Sequence, residues 1–364
     1  MTRTITATAL VARLGTADEP FVLDVREPDE HDDWRIPGST NLPVDALEGR
    51  LGELPRDREI VVHCAGGARS ARAAALLDGN GFAVAELAGG IAEWGRVYDT
   101  AELRADGAAV VQVRRRGKGC LSYVIGAGGE AFVVDPSVDI ERYLEIAGER
   151  GWRITRVFDT HLHADHLSGA RALAEGTGAS LHLNPADTFD FPFTPLADGD
   201  AFALPDGPEV DVSVLHTPGH TQGSTIYRVS GNVVLTGDTL FVEGVGRPDL
   251  AEKAEEFARN LHRSLRERVL TLSDDALVLP AHYGYDVTVH LGEPVVARLG
   301  DLRRRLRPLT LGERDFVDWA SSASAPRPPN YTEIVLANMG RSALSAAELR
   351  DLEAGPNRCS VASH

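Results

Sequence analysis

Four imidazole and carboxylate side chains crowd into six consecutive residues of this chain, His161, His163, Asp165 and His166 in THLHADHLSG. They lie where the strand-like run ITRVFDT gives way to the helix-like SGARALAEG. A turn at such a junction can aim several side chains into one cavity. Without a cation, groups packed that densely would repel or stay costly to desolvate. Three further residues of the same chemistry follow: His220 on the Pro-Gly turn of HTPGHTQGS, Asp238 just past an apolar strand in TGDTLF, and His282 in LPAH. All sit at strand ends, where α/β folds collect their active sites. A chance gathering of surface or core residues would account for one such histidine, not for this set at these spacings. His216, beside the same turn as His220, reads as structural, and so do His31, His63, His182, His262, His290 and His364.

Around this cluster the chain divides in two. At 364 residues it is too long for one typical domain, and 43% apolar residues suffice for two packed cores. Up to about residue 100, short apolar runs (FVLDV, 21–25; EIVVHC, 59–64) alternate with helical stretches such as 70–82, the pattern of a small α/β domain. That rhythm stops at 101–117, which places a boundary at about 100–110. Beyond it, AAVVQV and the two halves of CLSYVIGAGGEAFVVDP read as strands, the latter joined by a Gly-rich turn. ASLHL, VDVSVLHT, STIYRVSG, NVVLTGD and ALVLPAH read as further strands, and DIERYLEIAGERG, SGARALAEG, EKAEEFARNLHRSL and VVARLGDLRRRLRP as helices. Strands from both halves flanked by helices suggest an αβ/βα sandwich, although a three-layer α/β fold would give much the same pattern. A Pro-rich loop, 321–330, precedes a last helical part.

Composition narrows the partners. A net charge of −17 argues against nucleic acid or an anionic membrane surface, both of which require basic residues. No run approaches the ~20 consecutive apolar residues a membrane helix needs, and the first residues lack a signal-peptide pattern, so a cytoplasmic protein is expected. Cys64, Cys120 and Cys359 are odd in number and widely spaced, which fits thiols rather than a disulfide framework. The tail holding Cys359, NRCSVASH, reads as a disordered end. Cys64 stands out among the three: the strand EIVVHC delivers it to the loop Cys64-Ala65-Gly66-Gly67-Ala68-Arg69, which runs straight into a helix. Backbone N–H groups, a helix N-terminus and an arginine all stabilise thiolate, which places Cys64 as a nucleophile. The alternative for a lone cysteine is a buried structural thiol.

The HxHxDH motif and the later His, Asp and His positions resemble the metallo-β-lactamase superfamily over about 118–300. Two of its subfamilies compete. Glyoxalase II would use His161, His163, His220 and Asp238 for one metal, and Asp165, His166, Asp238 and His282 for the other. Persulfide dioxygenases hold one iron(II) with only the equivalents of His161, His220 and Asp238, the two-histidine, one-carboxylate set of non-haem iron oxygenases. The segments CLSYVIG, THLHADHLSGAR, GDTLFVEGVGRPDL and PPNYTEIVLANMG look more like the dioxygenases. In those enzymes the equivalent of Arg247 lies near the thiol pocket, the alternative being an ordinary surface salt bridge. One departure stands after the last histidine, where dioxygenases commonly read Asp-Tyr-x-Gly and this chain reads Tyr283, Gly284, Tyr285, Asp286.

The six-residue cysteine loop, with LDVREPDEHDDWRIPGSTNLP and ELAGGIAEW, resembles rhodaneses over about 5–97, in which the cysteine carries a persulfide. The resemblances imply a rhodanese-like α/β domain over 1–105 and a metallo-β-lactamase-like αβ/βα sandwich over 106–364, with a helical extension from about 300. They imply one Fe(2+) on His161, His220 and Asp238, the alternative being one or two Zn(2+). His163, Asp165, His166 and His282 would then support those three ligands or hold a second metal. Cys64 would be catalytic, with Gly67, Arg69 and Arg247 contacting substrate. The expected reaction is oxidation of a low-molecular-weight thiol persulfide by O2 to sulfite, coupled to sulfur transfer among thiosulfate, sulfite and Cys64. A glyoxalase II-type thioester hydrolase and a non-catalytic sulfur-sensing module are the alternatives. A homodimer is compatible with this reading.

Overall fold

A computed structural model describes residues 3–204, 210–248, 253–285, 287–322 and 330–342, residues 344, 345, 348, 352 and 355, and the short strand 360–362. Asp286, most of the Pro-rich loop, Cys359 and His364 lie outside the described residues.

The first unit is a five-stranded parallel sheet in the order Arg3–Ile5, Val84–Leu87, Ile60–His63, Phe21–Asp24, Thr40–Asn41. Its central strands read as continuous apolar runs because helices cover both faces, and separate apolar cores lie on its two sides, around Trp94 and Leu10 and around Leu23 and Leu77. The DVR sequence has a structural explanation. Asp24, fully buried, accepts from Arg26 Nη2 at 2.5 Å, from the Arg26 backbone N–H at 3.0 Å and from His31 Nδ1 at 2.9 Å. Burial pushes the Asp24 carboxyl up, but Arg26 and the two histidines beside it outweigh that and hold it below the usual carboxylate range.

The second unit packs two sheets face to face. One has seven strands, running from Thr194–Pro195 through Arg153–Phe158 and Cys120–Ala127 to Tyr98–Ala105, and the other six, from Ala201–Leu204 through Val233–Gly237 to Ala297–Arg298. Phe132, Phe158, Tyr227 and Leu279 from both sheets fill the space between them. Helices Glu141–Glu149 and Ala170–Thr177 cover the outer face of the first sheet, and Ala254–Ser264, Leu299–Arg305 and Glu313–Ser322 that of the second. This is the αβ/βα sandwich of the sequence reading, and it explains why Ala108–Arg115 and Cys120–Ala127 are buried at every position.

Two local expectations change. Tyr98–Ala105, assigned with the first unit by the 105/106 division, is hydrogen-bonded along its whole length to Ala108–Arg115 and forms the edge of the seven-stranded sheet. The helix read over VVARLGDLRRRLRP starts only at Leu299. Ala297–Arg298 instead pairs antiparallel with Leu277–Val278, and the Val295 N–H donates to Gln112 Oε1 at 2.8 Å. The β-branched Val295 and Val296 favour that extended entry over a helical first turn.

Candidate metal centre and cysteine loop

Five strand ends converge at one edge of the sandwich: Asp135 follows Glu130–Val134, His161 follows Arg153–Phe158, His220 follows Val210–His216, Asp238 follows Val233–Gly237, and His282 follows Leu277–Pro280. His161, His220 and Asp238 each present one ligand atom within 4.8 Å of the others, all buried. His161 Nε2 lies 3.7 Å and His220 Nε2 3.4 Å from Asp238 Oδ2. None of these three atoms has a hydrogen-bond partner.

The opposite edge of each ligand is fixed. His220 Nδ1 lies 2.9 Å from the Arg247 carbonyl, which can only accept, so the proton sits on Nδ1 and Nε2 carries a bare lone pair. Thr160 Oγ1 donates to Asp135 Oδ2 at 2.9 Å, which leaves it to accept from His161 Nδ1 at 2.9 Å and bares His161 Nε2 in the same way. Asp238 Oδ1 accepts from His282 Nδ1 at 2.7 Å, turning Oδ2 toward the two imidazoles. Burial drives His161 and His220 below the ordinary imidazole range, so both stay neutral, as metal ligands must. Two neutral imidazoles and a carboxylate, oriented and unsatisfied in a dry pocket, fit a divalent transition metal.

The other sequence-singled residues fall beside this group. His163 donates through Nε2 to Asp135 Oδ1 at 3.1 Å and leaves Nδ1 without a partner. Asp165 Oδ2 lies 3.4 Å from His282 Nε2, and His166 Nδ1 lies 3.6 Å from Asp165 Oδ1. Arg247 is 1% exposed, which removes the surface salt bridge as an account of it. Gly246 explains why that segment is glycine-rich: a Cβ there would collide with the Asp238 carbonyl and press on His220.

Several residues of the site were not singled out in the sequence. Asp135, the one non-glycine residue with positive φ (54°) among the described residues, anchors Thr160 and His163. Asn338 Nδ2 donates to the carbonyls of His163 and His166 at 2.9 and 2.8 Å, so the late segment PPNYTEIVLANMG pins the metal loop from outside. Cys120 closes on His166 and His282. Glu243 accepts from the Gly284 N–H at 2.7 Å, and burial pushes its carboxyl up to about 7 against that hydrogen bond. These contacts span many tens of residues and leave no local spacing signal.

In the first unit, Cys64 is nearly buried at the end of Ile60–His63 and accepts the Gly67 N–H at 3.1 Å, with Ser70 Oγ at 3.5 Å. Gly67, at φ 123°, caps helix Ala68–Gly79. Burial pushes the thiol up, but the Ser70 hydroxyl and the N–H groups of Ser70, Gly67 and Gly66 together bring it below the ordinary cysteine value. Arg69 is held bidentately by Glu30, at 2.5 and 2.8 Å. Between the units, Leu14, Pro37, Trp94, Tyr283 and Tyr285 line a cavity of about 410 Å³.

Residues 115–325, more than half of the chain, match the model of the metallo-beta-lactamase superfamily. The chain belongs to that superfamily. Residues 6–96 match the rhodanese-like domain, so a rhodanese-like domain precedes the metallo-beta-lactamase domain. The human mitochondrial persulfide dioxygenase ETHE1 is 29% identical over 236 residues, 60% of this chain and 82% of that protein. A hydroxyacylglutathione hydrolase from Methylobacillus flagellatus is 40% identical over 119 residues, but these are 33% of this chain and 46% of that one. The crystal structure of ETHE1 from Myxococcus xanthus superposes with a TM-score of 0.56 at 28% identity, covering 64% of this chain and 99% of that one. Membership in the metallo-beta-lactamase superfamily, with these relatives, implies an enzyme with a metal site. Among the described residues no helix is long and apolar enough to cross a membrane.

Proposed function

We propose that the metallo-beta-lactamase domain oxidises the terminal sulfur of a low-molecular-weight thiol persulfide, and that the rhodanese domain transfers sulfane sulfur through Cys64. The observation that carries the first part is the convergence of His161 Nε2, His220 Nε2 and Asp238 Oδ2, three unsatisfied atoms on side chains pinned from behind. That set suits one iron(II) with open positions, and relatives named persulfide dioxygenase align over most of their own length. Bound there, iron(II) supplies the one-electron chemistry that lets O2 react with sulfur. The protein keeps both imidazoles neutral, fixes their tautomers through Thr160 and Arg247, and excludes bulk water by burial. The overall change is RSSH + O2 + H2O → RSH + sulfite + 2 H+, the sulfane sulfur losing four electrons and O2 gaining them. In this reading Arg247, buried and joined to His220 through its backbone carbonyl, would hold the anionic end of the substrate.

At Cys64, the thiolate attacks the sulfane sulfur of the thiol persulfide, breaking its S–S bond to give Cys64-S-S− and the free thiol RSH, and sulfite then removes that sulfur as thiosulfate with return of the thiolate. The Gly67 N–H and the helix N-terminus stabilise the anion in both forms. Product of the metal site is thereby substrate of the cysteine site. The higher identity of the hydrolase over its shorter match supports a second reading, thioester hydrolysis at two metals. Oxygen uptake with glutathione persulfide, set beside hydrolysis of S-lactoylglutathione by the same anaerobically purified protein, decides between them. One iron per chain with oxygen uptake is expected; thioester turnover without uptake overturns the proposal.

A further inference from the structure

We propose that Glu86, acting through Ser70, is a positioning residue that biases Cys64 toward its sulfur-loaded form. The proposal rests on the sulfur-transfer reading of Cys64. Parallel pairing of Ile60–His63 with Val84–Leu87 sets Val62 beside Glu86. Side chains two apart on a strand share a face, so Glu86 belongs to the face that carries Val62 and Cys64. That face is otherwise apolar, since Val62, Cys64 and Val84 pack in one core. A half-buried carboxylate there departs from the pattern of its strand, and it lies under the cysteine loop, with Oε1 3.8 Å from where a Cβ on Gly67 would stand.

The action of the carboxylate turns on a single proton. Ser70 is fully buried. Its Oγ lies 2.7 Å from Glu86 Oε1, 2.9 Å from the Gly67 carbonyl and 3.5 Å from Cys64 Sγ. A hydroxyl has one hydrogen to donate, and the shortest bond, the one to the carboxylate, takes it. Ser70 Oγ then turns a lone pair to the sulfur, which suits a thiol S–H and withholds a donor from a thiolate. Arg69 neutralises Glu30, whereas Glu86 has no cationic partner among the described residues. Its charge stays uncompensated, one hydroxyl away from Sγ.

The two forms of the cysteine carry their charge in different places. In the thiolate it sits on Sγ, next to the Ser70 and Glu86 pair. In Cys64-S-S− it sits on the terminal sulfur, one bond farther from the packed core. Repulsion between like charges falls with distance, so Glu86 destabilises the thiolate more than the persulfide. Loading from thiosulfate is the reverse of discharge to sulfite: a bond forms between Sγ and the sulfane sulfur, the S–S bond of thiosulfate breaks, and its electron pair leaves on sulfite. That step moves the anionic charge away from Glu86 and is favoured by it. Discharge is restrained to the same extent, and Cys64 rests in the loaded form until an acceptor arrives.

The test is an anaerobic equilibrium of the full chain with mixtures of thiosulfate and sulfite at about pH 9, above the ordinary cysteine value, so that free Cys64 is ionised. The fraction of Cys64 carrying an added sulfur is read by mass spectrometry of the peptide that contains it. Glu86→Gln, which is isosteric, should lower the loading constant about three- to tenfold. Glu86→Asp keeps the charge and should stay nearer the wild type, which separates the effect of charge from a loss of packing. In a Ser70→Ala background Glu86→Gln should change loading far less than it does alone, because the two residues act as one unit. Equal loading in wild type and Glu86→Gln overturns the role of Glu86 and leaves sulfur transfer standing, as does a fall in Glu86→Asp as deep as that in Glu86→Gln. An undiminished effect in the Ser70→Ala background overturns the route through Ser70. No loading of any of these proteins removes sulfur transfer at Cys64, and the proposal with it.

Discussion

The metal centre and the cysteine loop solve opposite problems. The centre is assembled from the ends of five strands in two sheets, with ligands drawn from residues 161 to 282 and an anchor, Asn338, later still. The Cys64 loop is a single six-residue turn whose main stabilisers, Gly67 and Ser70, are immediate neighbours. A dispersed site tolerates no loss of a member, because each ligand is oriented by a residue from another element. A local loop carries most of its geometry with it and is tied to the rest of the molecule through Glu30, Glu86 and the Ile91 N–H, which donates to the Cys64 carbonyl at 2.9 Å.

The largest expected effect separates the two outright. His220→Ala should strip the metal and cost well over the roughly hundredfold that outer contacts of a metal site are worth, measured as oxygen uptake with glutathione persulfide. The same variant should transfer sulfur from thiosulfate to cyanide at the unchanged rate. Cys64→Ser should reverse the pattern, losing sulfur transfer and keeping oxygen uptake when persulfide is supplied directly. If either variant loses both activities, the domains are not independent. Next in size is Asn338→Ala, which touches no ligand atom but frees the carbonyls of His163 and His166. A ten- to hundredfold loss of metal affinity, on the order expected for removing an orienting contact, should appear in competition with a chelator.

That variant also marks where the sequence stops being informative. His161, His163, Asp165 and His166 announce a metal site because their chemistry is dense over a few residues, and strand ends nearby lead to His220, Asp238 and His282. The Cys64 loop is equally visible because its helix and glycines are adjacent. Asn338, Asp135 and Cys120 are single residues of ordinary type, brought in by sheet packing across separations that no periodicity records. The same holds for Tyr98–Ala105: nothing in its composition says which sheet it will join, and pairing with Ala108–Arg115 decides it. Arg247 could not be sorted between surface and pocket until its burial was visible.

A smaller effect tests the rhodanese core. His63, fully buried, is held neutral with its pKa lowered to about 4, mainly by burial, with Asp24 pulling the other way. The unfolded chain takes up this proton first as pH falls through the ordinary value of 6.5. Stability is therefore intact above about pH 6.5 and is lost between there and about pH 4. Opening of the Ile60–His63 amides, read by hydrogen exchange, should be about 2 kcal/mol easier at pH 5 than at pH 8. His63→Gln should flatten that dependence in the Ile60–His63 amides.

The smallest effect is the ion pair at the rim of the cysteine loop. Arg69 and Glu30 have side chains about one-third exposed and meet bidentately. Exposure screens the pair, so Glu30→Gln should cost no more than about 1 kcal/mol of stability. Its functional effect runs the other way from a simple loss. Glu30 now competes for the guanidinium that the loop needs for an anionic sulfur donor, and releasing Arg69 leaves that charge uncompensated beside Cys64. Glu30→Gln should then lower the KM for thiosulfate while barely moving kcat, and Arg69→Gln should raise it. If Glu30→Gln raises KM instead, the carboxylate serves to position Arg69 rather than to restrain it, and the loop is less self-contained than its sequence suggests.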